Sequence, residues 1–94
     1  MDGLNGSRDR LERAGHAAQI LLTRDPRTIG DHVSNAMKKQ RYDVVVIGAG
    51  LRTLPAMLEQ FETLMNVLHR SAPQAKLAFN TQQNDSDAAA LRWL

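Results

Sequence analysis

The chain has 94 residues, of which 43% are hydrophobic and 23% charged, and its formal net charge is +2. This composition is typical of one small globular domain and excludes wholesale disorder, although a chain of this length buries only about two-thirds of its unfolded surface. Cysteine is absent, which excludes disulfides and zinc–thiolate sites and agrees with an expected cytoplasmic location.

The first half of the chain predicts two helices with a strand between them. We expect residues 1–6 to be frayed and a short helix to follow, with Ser7 as its N-cap and Gly15 just past its end. Residues 17–23 alternate in a way that predicts a strand. Asp25 and the following proline favour a helix start, and Thr28 with Asp31 offers a second possible cap. The sheet-facing side chains of this second helix are Ile29, Val33, Ala36 and Met37.

The second half predicts two more strands and two more helices. Residues 43–47 carry an unbroken Val/Ile run, which is typical of a strand covered on both faces in a parallel sheet. Residues 55–69 show the strongest helical periodicity, and residues 75–80 predict the third strand. The apolar stripe of this helix consists of Met57, Phe61, Leu64, Met65 and Leu68, and it is broadened by Leu58 and Val67. A polar loop at 81–85 leads to a last helix from Ser86. Its expected packing residues are Ala89, Ala90, Trp93 and Leu94.

Alternating helices and strands with short connections predict right-handed crossovers. We therefore expect a single α/β domain over residues 1–94, with three layers and a parallel sheet of three strands flanked by helices. Acidic and basic residues interleave, and the four aromatic residues fall in patterns that predict burial, so we expect no nucleic-acid partner. No apolar run approaches the roughly 20 residues of a membrane span, so we expect no membrane partner.

Polar residues and glycines follow two of the predicted strands, at the edge where open α/β sheets bind ligands. The candidate ligand-binding residues are Gly48, Ala49, Gly50, Arg52, Thr53, Asn80 and Thr81. They would offer backbone amides and side-chain donors to a small anionic ligand. The structural alternative is that the glycines only permit a tight turn and that Arg52 is solvated. Asp25 would lie at the same edge, and we expect it to serve as an N-cap.

The glycines of this loop do not complete a dinucleotide fingerprint. Thr53 stands at the third glycine position, and the next strand ends at Asn80, so no carboxylate is placed for a ribose. His16, His32 and His69 lack ligand spacing, and no serine sits in a nucleophile elbow. We therefore predict no catalytic residue, no metal site and no cofactor.

Several segments carry a family resemblance. They are YDVVVIGAGLR at 42–52, FE at 61–62, NVLHR at 66–70, APQA at 72–75, FNT at 79–81 and LRWL at 91–94. These segments resemble a small family of uncharacterised flavodoxin-like proteins of bacteria and fungi, over about residues 11–94. The resemblance implies a flavodoxin-like, Rossmann-like fold and no particular activity. A looser resemblance is to response-regulator receivers. Gly48 stands where their phosphoacceptor aspartate would be, Thr81 matches their threonine, and their lysine would lie beyond Leu94.

In the flavodoxin-like arrangement this chain would lack its first, central strand, and residues 17–23 would lose their neighbour. We expect the chain to be a shortened form of a longer protein. An unpaired strand edge is a template for pairing, so we predict self-association as a homodimer. The favoured function is a non-catalytic association or binding module. The alternative is a small-molecule or nucleotide/anion-binding protein that uses the loop 48–53, including an enzyme of unknown reaction.

Overall fold

The computed structural model describes residues 2–21, 25 and 27–94. Within these residues the chain forms five α-helices, two strands and two 3-10 turns. They are α1 (Asp2–Arg13), α2 (Ile29–Lys39), β1 (Val44–Ile47), α3 (Ala49–Thr53), the turn Pro55–Met57, α4 (Leu58–Ser71), β2 (Lys76–Phe79), the turn Gln83–Asp85 and α5 (Ser86–Leu91). None of the helices in this part of the chain is both long and apolar enough to cross a membrane.

The sheet consists of β1 and β2, which pair in parallel with Val44 opposite Lys76 and Ile47 opposite Phe79. The predicted α/β class and both of these strands are confirmed, with α4 as the crossover between them. The predicted strand at 17–23 is not seen. Residues 17–21 have no regular secondary structure, and residues 22 and 23 lie outside the described part of the chain. The described sheet therefore has two strands instead of three.

The main core lies between the sheet and the helices α2 and α4, which pack against each other. Its buried members come from the predicted apolar faces of both helices and from β1. They are Ile29, Val33, Ile47, Leu64, Val67 and Leu68. Leu58, which the periodicity adds to this face, is instead 58% exposed, because it lies in the first turn of α4 beyond the edge of the core.

Helix α1 begins at Asp2, so residues 2–6 are helical where a frayed segment was predicted. Ser7 is not an N-cap: it lies in the middle of the helix and is only 2% exposed. Docking of α1 on the turn Gln83–Asp85 and on α5 accounts for the difference, since it orders the first turns. The predicted end is confirmed. Gly15 has φ 93°, its N–H bonds to Glu12, and the next N–H, that of His16, bonds to Leu11 at 3.0 Å.

Helix α5 packs on the sheet through small side chains, since Ala89 and Ala90 are buried. The helix ends at Leu91, so Trp93 and Leu94 extend past its packed turn and are 48% and 52% exposed. Phe79 is also 37% exposed. The prediction that these residues are buried is therefore wrong. Burial of the aromatic residues thus no longer argues against a nucleic-acid partner.

Candidate functional site

Of the predicted site residues, those of the loop after β1 meet Asn80 at the end of β2, at the carboxyl edge of the sheet. The main-chain N–H of Asn80 bonds to the carbonyl of Ile47 at 3.5 Å, which extends the strand pairing by one residue. The side-chain Oδ1 of Asn80 accepts a hydrogen bond from the N–H of Ala49 at 2.7 Å. The loop after one strand is thus tied to the end of the other.

Asn80 is the centre of this edge and is only 3% exposed. Its Nδ2 donates to Ser86 Oγ at 2.8 Å, and that hydroxyl donates to the carbonyl of Gln83 at 3.0 Å. Both ends of the Asn80 amide are therefore occupied within the protein. The sequence pattern predicts Ser86 only as a helix start and does not predict its place in this network. The available signal was a serine that opens a helix seven residues after the end of β2 at Phe79.

Arg52 lies next to Asn80, on the outer side of the loop. One guanidinium nitrogen, Nη2, donates to the Asn80 carbonyl, and the guanidinium carbon lies 5.3 Å from the centre of the Phe79 ring. A guanidinium has five N–H groups and stacks well on aromatic rings. Thr53 is turned back into its own helix, since its hydroxyl donates to the Ala49 carbonyl at 2.9 Å. Arg52 thus retains donors for other partners, and Thr53 does not.

Thr81 is not part of the same cluster. Its N–H donates to Asp85 Oδ1 at 3.0 Å and its hydroxyl donates to Asp85 Oδ2, while the N–H of Gln82 also reaches Oδ1 at 3.3 Å. The hydrogen bond from the Thr81 hydroxyl holds the pKa of Asp85 below its usual value. Thr81 therefore closes the turn after β2 and does not face the loop 48–53.

Asp25 forms a local turn. Its Oδ1 accepts the N–H of Arg27 at 2.9 Å, and its carboxylate pairs with the Arg27 side chain, which lowers the pKa of Asp25. The helix begins later, at Ile29, so Asp25 is not its N-cap residue. The proline at position 26 lies outside the described residues.

The glycines of the loop are not required by the backbone. Gly48 has φ −66° and ψ 142°, which any residue adopts, and Gly50 lies within α3 without a positive φ. A Cβ built at either position would meet no other atom within 4 Å. The interpretation that a tight turn demands glycine here is therefore wrong, and both positions open onto free surface.

An apolar groove with a volume of about 220 Å³ lies beside this loop. It is lined by Leu51, Arg52, Thr53, Leu54, Pro55, Leu58 and Phe61. Leu54 is 54% exposed and Leu58 is 58% exposed, although both are large apolar residues. The helical pattern of residues 55–69 predicts Leu58 on the apolar face and does not single out Leu54. The signal that could have found the groove is the proline between them, which separates two short helical segments.

The chemistry of this edge is that of hydrogen-bond donors and apolar surface. The described residues contain no group of three or more His, Asp or Glu side chains that could hold a metal ion. His32 and His69 are exposed helix residues, distant in sequence from the loop. Comparison with known proteins finds no family model, no curated protein and no solved structure that matches this chain.

Proposed function

We propose that this protein is a non-catalytic α/β association module, and that it associates with a second copy of itself through the apolar groove beside the loop 48–53. The observation that supports the proposal is the exposure of Leu54 and Leu58 by more than half in one groove. Single exposed leucines are common on protein surfaces, but neighbouring ones that line a concave surface are typical of interaction sites.

The total accessible surface supports the same proposal. It is 6172 Å², whereas a compact monomer of this mass is expected to expose about 5,400 Å². The radius of gyration of 12.6 Å is that of a compact chain of this length, and the extra surface includes the exposed leucines of the groove.

We also propose that the chain forms a flavodoxin-like sheet of three strands. Residues 17–23 would add the third strand beside β1. Two contacts support their place: the Gln19 amide receives a hydrogen bond from the Tyr42 hydroxyl, and its Nε2 donates to Gln40 Oε1 at 3.1 Å. These contacts hold residue 19 beside the chain that enters β1.

Charging the groove should weaken the association. We expect Leu54→Glu and Leu58→Glu each to raise the dimer dissociation constant about tenfold or more, because each places a carboxylate in an apolar interface. Sedimentation velocity over a range of concentrations measures the change.

Leu94→Glu is the matched control, since Leu94 is a 52% exposed leucine outside the groove. It should leave the dissociation constant unchanged. A parent protein that stays monomeric at all concentrations, or a Leu94→Glu variant that weakens the dimer as much as Leu58→Glu, would refute the groove as the interface.

A second function, the binding of a small anionic ligand at the loop 48–53, is favoured by the open surface above Gly48 and Gly50. The remaining Arg52 donors would face such a ligand. Gly50→Val should change the free energy of unfolding by less than about 1 kcal/mol, because valine has a slightly better helix propensity than glycine and meets no neighbour.

A thermal-shift screen against phosphate, nucleotides and flavins tests this second function. A ligand that binds here should raise the melting temperature of the parent by several degrees and should lose this effect in Gly50→Val, because the new side chain occupies the approach to the loop. Equal shifts for parent and variant would place the ligand elsewhere.

A further inference from the structure

An arginine of helix α1 makes the charged contact between this helix and the rest of the molecule. Arg10 donates two hydrogen bonds to Asp87, from Nε to Oδ2 at 2.8 Å and from Nη2 to Oδ1 at 3.0 Å. Nη2 also donates to the Asn84 carbonyl at 2.6 Å. The hydrogen bonds from Arg10 hold the pKa of Asp87 at about 2, so the pair is ionised at neutral pH. Bidentate arginine–carboxylate hydrogen bonds are strong, and they also fix the relative orientation of the two groups.

Two further residues fit α1 closely to the same surface. The buried hydroxyl of Ser7 donates to the Gln83 carbonyl at 3.0 Å. At Gly3 the backbone comes so near that a Cβ would lie 3.0 Å from Gln83 Cβ and 3.1 Å from the Asn84 nitrogen. Residues 83–87, which we name the α1 receptor, thus recognise this helix by charge, hydrogen bonding and shape.

A long chain segment connects α1 to α2. Residues 14–28 form this segment, and its described part contains neither helix nor strand. The contacts of Gln19 with Gln40 and Tyr42 anchor the middle of the connection. Residues 14–18, which include Gly15 at φ 93°, are therefore the hinge about which α1 would reorient.

We infer that α1 is exchangeable between two copies of this chain, each α1 docking on the α1 receptor of the other. Exchange keeps every contact of the closed monomer and changes only the hinge, which makes it a low-cost route to a dimer. A short tether gives the closed form an effective concentration in the millimolar range, so the exchanged dimer gains population as the protein concentration approaches that range. The inference does not depend on the groove proposed above, because it uses a different surface.

Charge reversal on the two sides of the anchor tests the exchange. The test uses a Leu58→Glu background, which removes the groove contact proposed above, and the Leu58→Glu chain is its parent protein. In that background Arg10→Glu alone and Asp87→Arg alone each place like charges together, so each variant should be monomeric with α1 undocked. An equimolar mixture should form a heterodimer, because exchange pairs the introduced glutamate with the introduced arginine in one half and restores Arg10 with Asp87 in the other. Native mass spectrometry resolves the species, and circular dichroism verifies that both variants are folded. The double variant, which repairs the pair within one chain, should behave as the parent.

A mixture of two folded variants that shows no heterodimer would overturn the inference. Should either variant fail to fold, a disulfide gives the answer independently, since the chain has no cysteine of its own. Gly3→Cys with Gln83→Cys places two thiols across the docking contact, with the Cβ atoms within about half an ångström of disulfide geometry. Oxidation should give a covalent dimer whose fraction rises with protein concentration. Closure within single chains at every concentration would overturn the inference as well.

Discussion

Replacing Leu68 by alanine should lower the free energy of unfolding by about 2–5 kcal/mol, the usual cost of truncating a fully buried leucine. Leu68 is 1% exposed and belongs to the cluster that joins α4 to α2 and β1. The lost side chain leaves a cavity that the surrounding helices fill only in part. Urea denaturation followed by far-UV circular dichroism measures the change.

Leu94→Ala is the matched control, because Leu94 is a leucine that is 52% exposed and lies outside both the core and the groove. Its effect should stay within about 0.5 kcal/mol, as is usual for surface positions. A cost below about 1 kcal/mol for Leu68→Ala would show that the core is not packed at this position.

Replacing Asn80 by alanine should cost about 2–4 kcal/mol, because it leaves more than one polar group without its partner at a buried site. The N–H of Ala49 loses its acceptor and the hydroxyl of Ser86 loses a donor. Alanine also removes the side-chain hydrogen bonds that link the loop after β1 to the helix start at Ser86. The same denaturation experiment applies.

Asn66→Ala serves as the control for this second variant. Asn66 is exposed, and its Nδ2 donates to the Glu62 carbonyl one turn earlier in α4 at 2.9 Å. Its loss should change the free energy of unfolding by less than about 0.5 kcal/mol. Equal effects of the two substitutions would mean that the Asn80 network contributes no more than an ordinary surface hydrogen bond.

The part of the fold that sequence predicts well is built from strong local patterns. The Val/Ile run of β1, the long periodic stripe of α4 and the short apolar strand β2 all form as expected, and they pair in parallel. The meeting of Ala49 with Asn80 also follows from that pairing, since it needs only two strand ends at one edge. A pattern that repeats within ten or fifteen residues carries its own structural information.

The parts that sequence missed depend on contacts between distant residues. Arg10 and Asp87 are 77 positions apart in the sequence. The polar residues around Ser7 likewise do not predict that its hydroxyl is buried. The same holds for Thr81, which could have turned toward the loop 48–53 but is held by Asp85. Periodicity describes which face of an element is apolar, and it does not identify the polar partner that docks there.

The position of Trp93 has a practical consequence for spectroscopy. It is the chain's single tryptophan, and nearly half of its surface already meets solvent in the folded state. Its emission should therefore change little in wavelength when the chain unfolds, whereas a molecule that covers the C-terminal surface should shift the emission to the blue. Intrinsic fluorescence of this protein is thus a natural reporter of contact at its C-terminus and a poor reporter of its melting.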